Sequence, residues 1–205
     1  MDQALTEVNM TADAPVGEVV EASTTELVTQ CRELYESPSL GALIKTGGED
    51  TVYGVVAEVA TRSLDPGRRP VAMGTGESDV EAIYSRNPQL GRLLSTEFRS
   101  VVVGHMADGR LNRYVAPLPP KIHDMVYPCD EAETREFSGS LHFLPLLLSA
   151  QVGSPDDVAA AFLRGVSRSH VDSRAFLVGA GRELASLLGG DIHRLNGILR
   201  RLAHD

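Results

Sequence analysis

Along this chain the hydrophobic period changes once, near residue 130. Apolar residues in 16–126 fall in short runs broken by Gly, Pro and Asp, while in 130–204 they recur at helical spacing. Val16–Ala22 reads as a strand, Ser23-Thr24-Thr25 as a turn, and Glu26–Cys31 as a returning strand. Ser37-Pro38-Ser39 marks a loop, Gly41–Lys45 a third strand, and Gly47-Gly48-Glu49-Asp50 a turn. Thr51–Ala60 is the clearest strand, rich in β-branched residues. The turn Asp65–Pro70 carries Arg68 and Arg69, and Val71–Gly74 reads as a short strand. Ser78–Glu81 fits a capping box opening a helix through Tyr84; Asn87-Pro88 interrupts it and Gln89–Leu94 resumes it. Phe98–His105 is a strand of the fully buried kind, and Asp108-Gly109 suits a tight hairpin turn into Asn112–Val115. About six short, mainly antiparallel strands predict a small barrel or sandwich.

After Cys129 the signals are helical. Asp130 caps a helix through Phe137, with Gly139 and Pro145 arguing for a break. Ser154-Pro155-Asp156-Asp157 opens a helix whose Val158, Phe162, Leu163 and Val166 share a face. Asp172 caps the next, with a stripe at Phe176, Ala180, Leu184 and Leu187, stopped by Gly189-Gly190. Asp191 caps the last, lined by Ile192, Leu195, Ile198, Leu199 and Leu202. The expected fold class is α+β: a small, mainly antiparallel β-barrel (16–129) followed by a C-terminal helical subdomain (130–205). Residues 1–15 are expected to form a polar, disordered arm.

Composition narrows the function classes. The 205 residues are 42% hydrophobic but only 5% aromatic, without Trp, so the core must be largely aliphatic. The net charge of −9 argues against nonspecific nucleic-acid binding by the whole surface. A local basic face remains open on the helical half, with Arg164, Arg168, Arg174, Arg182, Arg194, Arg200 and Arg201. The first residues lack a basic n-region and no apolar run spans a bilayer, so no membrane is expected. Two cysteines, Cys31 and Cys129, then read as free thiols in a reducing cytoplasm.

The candidate chemistry is sparse. Gly74-Thr75-Gly76-Glu77-Ser78 lacks the spacing and the Lys of a phosphate-binding loop. The six histidines are dispersed, none pairing at i+3 or i+4, so no metal or cofactor is implied. His123 stands out because it follows the stiff segment Ala116-Pro117-Leu118-Pro119-Pro120-Lys121-Ile122. Pro117–Pro120 favours polyproline II, either as a strap leading from barrel to helices or as a partner dock. Arg68, Arg69 and Arg99, with Arg113, are candidates for an anion or nucleic-acid contact, although aromatic interleaving is nearly absent.

The strand half resembles the HerA–ATP synthase (HAS) barrel family. Gly17–Leu27, Gly41–Lys45 and Tyr53–Val59 carry the likeness, with Thr96–Arg99, Val102-Val103-Gly104, Pro117–Pro120 and His123 similar to stand-alone bacterial members. The resemblance implies a subunit-contact module without an ATPase core: non-catalytic, forming a homo-oligomer or partnering a HerA-type ring ATPase in DNA processing. A nucleic-acid-binding module using the Arg-rich turn and helices is the alternative. Arg68, Arg69, Arg99, Pro119, Pro120, Lys121 and His123 are the expected binding residues. The strap is expected to cross one barrel end, placing Lys121 and His123 near a partner.

Overall fold

A computed structural model describes residues 14–48, 50–65, 67, 70–72, 76 and 79–203. Among these residues seven strands are formed: β1 (Gly17–Ala22), β2 (Glu26–Cys31), β3 (Leu43–Thr46), β4 (Val52–Ser63), β5 (Leu94–Ala107), β6 (Arg110–Asn112) and β7 (Met125–Pro128). They pair antiparallel in the order β2-β1-β7-β3-β4-β5-β6. Pairing of β2 with β5 closes six of them into a barrel. Closure leaves no exposed edge in the ring. The β5–β6 hairpin turns at Asp108 and Gly109, both at positive φ, as the Asp-Gly pair predicts.

Three expectations change. The return strand after the hairpin is shorter than Asn112–Val115, stopping at Asn112. The proline segment does not lead from barrel to helices: the chain re-enters the barrel as β7, wedged between β1 and β3. Val71 and Ala72 are not in a strand, and Met73 and Gly74 lie outside the described residues, as does the expected cap Ser78. Asp79 caps the short helix α1 (Val80–Arg86) instead, accepting from Ala82 N; α2 (Leu90–Leu93) follows.

The helical half comprises α3 (Glu131–Ser138), α4 (Leu144–Leu148), α5 (Pro155–Ser167), α6 (Ser173–Leu187) and α7 (Ile192–Ala203). Asp130 and Glu133 form the capping box of α3, Asp172 accepts from Ala175 N, and Asp191 from Arg194 N. Arginines close other helix ends. Arg194 bonds both Asp156 (2.7 Å) and Leu148 O (2.6 Å), and Arg113 bonds Phe137 O (2.7 Å) and Glu136 O (2.5 Å). A guanidinium there meets last-turn carbonyls at the negative end of the helix dipole.

Two apolar clusters result. Val19, Leu27, Ile44, Val52, Val56, Phe98, Val102 and Val126 fill the barrel. Leu43, Tyr53, Val55, Ala57, Val101 and Val103 point outward and pack under α3, α4 and α5. The strand centres are therefore buried on both faces, which explains their continuous apolar runs. An aromatic row ties the layers: Tyr53 to Phe137 (5.1 Å between centroids), Phe137 to Phe143 (5.0 Å), Phe143 to Phe162 (5.3 Å). Gly41, at φ +81°, lies so close to α5 that a Cβ would sit 2.6 Å from the Ala161 carbonyl carbon. Only glycine combines that backbone angle with that approach. Two stripe residues expected in the core, Leu187 and Ile192, are instead exposed.

Candidate functional site

The proline segment forms one wall of a cleft of about 340 Å³ at one end of the barrel. The opposite wall is the β3–β4 turn (Gly47, Gly48, Asp50), and the floor holds Val52, His105, Met106 and Ala116. Ala116 is buried as part of the barrel core and plugs the mouth; Pro120 is also buried. Pro117, Leu118 and Pro119 remain exposed. The far end of the strap is pinned by a tight turn. Lys121 N donates to Asp124 Oδ2 (2.8 Å), Asp124 N to Lys121 O (3.1 Å), and His123 N to Val19 O (2.8 Å).

The floor histidine is placed by a bulge. On β5, Val103 is an extra residue: Tyr53 pairs with Gly104, whereas the next residue, Gly54, pairs with Val102. Strict alternation from inward-facing Val102 would turn Gly104 in and His105 out. The bulge reverses this, as bulges near sites often do. Gly104 takes the outward place opposite Tyr53, where a Cβ would meet Asn112 O at 2.5 Å and the Phe137 ring at 3.0 Å. His105 takes the inward place opposite Val52. It is only 6% exposed, and its ring packs edge-on to Tyr114 at 5.2 Å. Nδ1 lies 3.3 Å from Tyr114 O. A carbonyl only accepts, so Nδ1 is the donor in this contact, and in the neutral imidazole Nε2 is then an acceptor.

The expected binding residues divide. Pro119, Pro120 and Lys121 line the cleft together. His123, held at φ +73°, faces away to Glu18 (Nδ1 to Oε1 3.6 Å) and does not line it. Arg99 stands apart on the outer barrel wall, 3.9 Å from Glu26 and beside Glu58 and Glu97. Arg68 and Arg69 lie outside the described residues. Sequence reading passed over His105, because the bulge depends on the residue count of the partner strand.

Neither thiol is poised for nucleophilic work. Burial first, and then Glu97, pushes Cys31 up to about 11; burial and Glu133 push Cys129 higher still, despite Lys45 nearby. Both cysteines are unpaired. A second depression of about 260 Å³ lies where Gly41, Cys129, Thr134 and Arg168 meet, between the loop before β3, α3 and α5. Inside the barrel, Thr29 Oγ1 and Ser100 Oγ are buried without hydrogen-bond partners. Among the described residues, no group of three or more His, Cys, Asp or Glu is arranged to hold a metal, and no helix is long and apolar enough to cross a membrane. No family model matches the chain, and no curated protein matches it.

Proposed function

We propose that the protein is a non-catalytic assembly module that meets its partner at the strap end of the barrel. One observation carries this reading: a rigid, solvent-facing strap with Leu118 75% and Ile122 48% exposed, set beside a formed cleft. Apolar side chains displayed on a stiff backbone lose little entropy on docking. The histidines support it by their dispersal: His105 bonds Tyr114 O, His170 bonds Ser138 Oγ (2.8 Å), and His123 faces Glu18. The closed antiparallel barrel is the shape the HAS-barrel resemblance calls for, and that resemblance extends the proposal to self-assembly or to a HerA-type ring ATPase in a reducing cytoplasm. Charge favours this over nucleic acid. Arg99 sits among carboxylates, while Arg113, Arg194 and Arg201 are spent on carbonyls and on Asp156 and Asp157.

Sedimentation of the protein alone and with a HerA-type ring tests the proposal. Association in either mixture, weakened by the double replacement Pro119→Gly/Pro120→Gly, is expected. Monomers throughout, up to about 100 µM, would remove the assembly reading.

A further inference from the structure

The cleft's floor restricts its occupant more narrowly than its shape does. His105 Nδ1–H is committed to Tyr114 O, and among the described residues nothing bonds Nε2. An occupant that left this acceptor unpaired would seal a largely buried polar atom away without a hydrogen bond. The occupant must therefore bring a donor. The rim excludes an anion as that donor's carrier: Asp50 and Asp124 face a single ammonium, Lys121. A phosphate or a nucleotide would meet net negative charge there. The remaining lining is apolar, with Val52, Met106 and Ala116 below and the flat rings of Pro117, Pro119 and Pro120 alongside. A volume of about 340 Å³ suits one large side chain or a compact ligand.

We infer that this cleft receives a tryptophan side chain from a partner polypeptide, its indole N–H donating to His105 Nε2 and its ring lying against the prolines. Indole fits better than phenol, since its nitrogen is a donor only and leaves no acceptor of its own to satisfy. It fits better than leucine or phenylalanine, which carry no side-chain donor. These 205 residues contain no Trp, so a second copy of them cannot supply the anchor. This deepens the assembly reading and rests on it, naming the anchor by which the partner is held.

The test uses the intact protein and N-acetyl-tryptophanamide, followed by amide NMR shifts up to about 5 mM probe. Saturable shifts confined to Gly47, Gly48, Met106, Leu118 and their neighbours are expected. The 1-methylindole analogue and N-acetyl-phenylalaninamide should bind roughly tenfold more weakly or not at all. His105→Leu should lose the preference for the free indole N–H. Leu118→Ser, on the exposed strap, keeps the test open should the His105 variant not fold, and should weaken the probe without changing the melting temperature. Absence of shifts at the cleft, equal binding of the methylated probe, or an unaltered preference in the folded His105 variant would overturn the inference. Self-association measured on the same sample separates the two readings. An oligomer that ignores the probe leaves the assembly proposal standing and removes only the tryptophan anchor.

Discussion

The long β4–β5 ribbon has two ends, and they are built in opposite ways. At the Val52/His105 end the chain crosses back over the barrel, buries Ala116 and Pro120, and fixes the strap with backbone hydrogen bonds on both sides of His123. At the Ser63/Leu94 end the chain runs on into α1 and α2, neither of which has a buried residue. There one side-chain tie among the described residues is a pair of tyrosines. Tyr35 and Tyr84 share a hydrogen bond between hydroxyls, with rings edge-on at 6.2 Å. Tyr35 itself is held at φ +69°, its N–H bonded to Thr96 Oγ1 (2.8 Å). The difference teaches where rigidity has been placed. The strap end is part of the core and presents a formed cleft; at the other end α1 and α2 bury no residue, so their detachment should cost little.

Charge placed at each end should expose this contrast most strongly. Ala116→Asp sets an unpaired carboxylate in the plugged mouth and should cost about 3 kcal/mol or more, read by urea denaturation. Leu64→Asp, at the opposite end and half exposed, should change stability by less than about 0.5 kcal/mol. Equal losses would erase the distinction between the two ends.

A smaller effect sharpens the role of the bulge. In Gly104→Ala the new methyl meets Asn112 O and the Phe137 ring, and overpacking of that kind costs about 1–3 kcal/mol. The NMR signals of His105 should move with it, because relief of the clash shifts the register that turns this ring inward. A variant with native stability and an unmoved His105 would mean that the bulge does not set the floor.

The least costly test is at the tyrosines. Burial, then the Tyr35 hydrogen bond and charge, raise Tyr84 from its ordinary 10.0 to about 12. A raised tyrosine pKa means that the fold favours the neutral phenol. The tie is therefore complete below pH 10 and is lost as pH climbs toward 12. Tyr84→Phe should remove that alkaline step and speed amide exchange in 80–93, while leaving the melting temperature within about 2 °C. Cooperative melting of the whole barrel on this replacement would contradict the picture of an appendage.

Much of the architecture was legible in the residues. Thr51–Ala60 declares a strand because β-branched residues fill it, Asp108-Gly109 declares its hairpin, and Asp130, Asp172 and Asp191 mark three helix starts. The strand β7 did not announce itself. It has four residues, ends in Pro128, and owes its place to ladders offered by β1 and β3 on either side. The strap was visible through its prolines, but His105 was not. A bulge is a mismatch in count between two strands, and no single segment contains that information.

The late position of β7 also has a bearing on how the molecule comes to exist. β1 and β3 are close in sequence, yet they do not pair with each other; each waits for a strand about eighty to a hundred and ten positions downstream. A nascent chain that has emerged only as far as the strap presents two unpaired ladders and a gap in the wall. High contact order of this kind slows folding and leaves strand edges open to neighbours during synthesis. The segment that displays the proposed docking surface thus leads directly into the last stave of the barrel. A ribosome-bound intermediate lacking 125–128 should accordingly be unable to seal the barrel or to form the cleft.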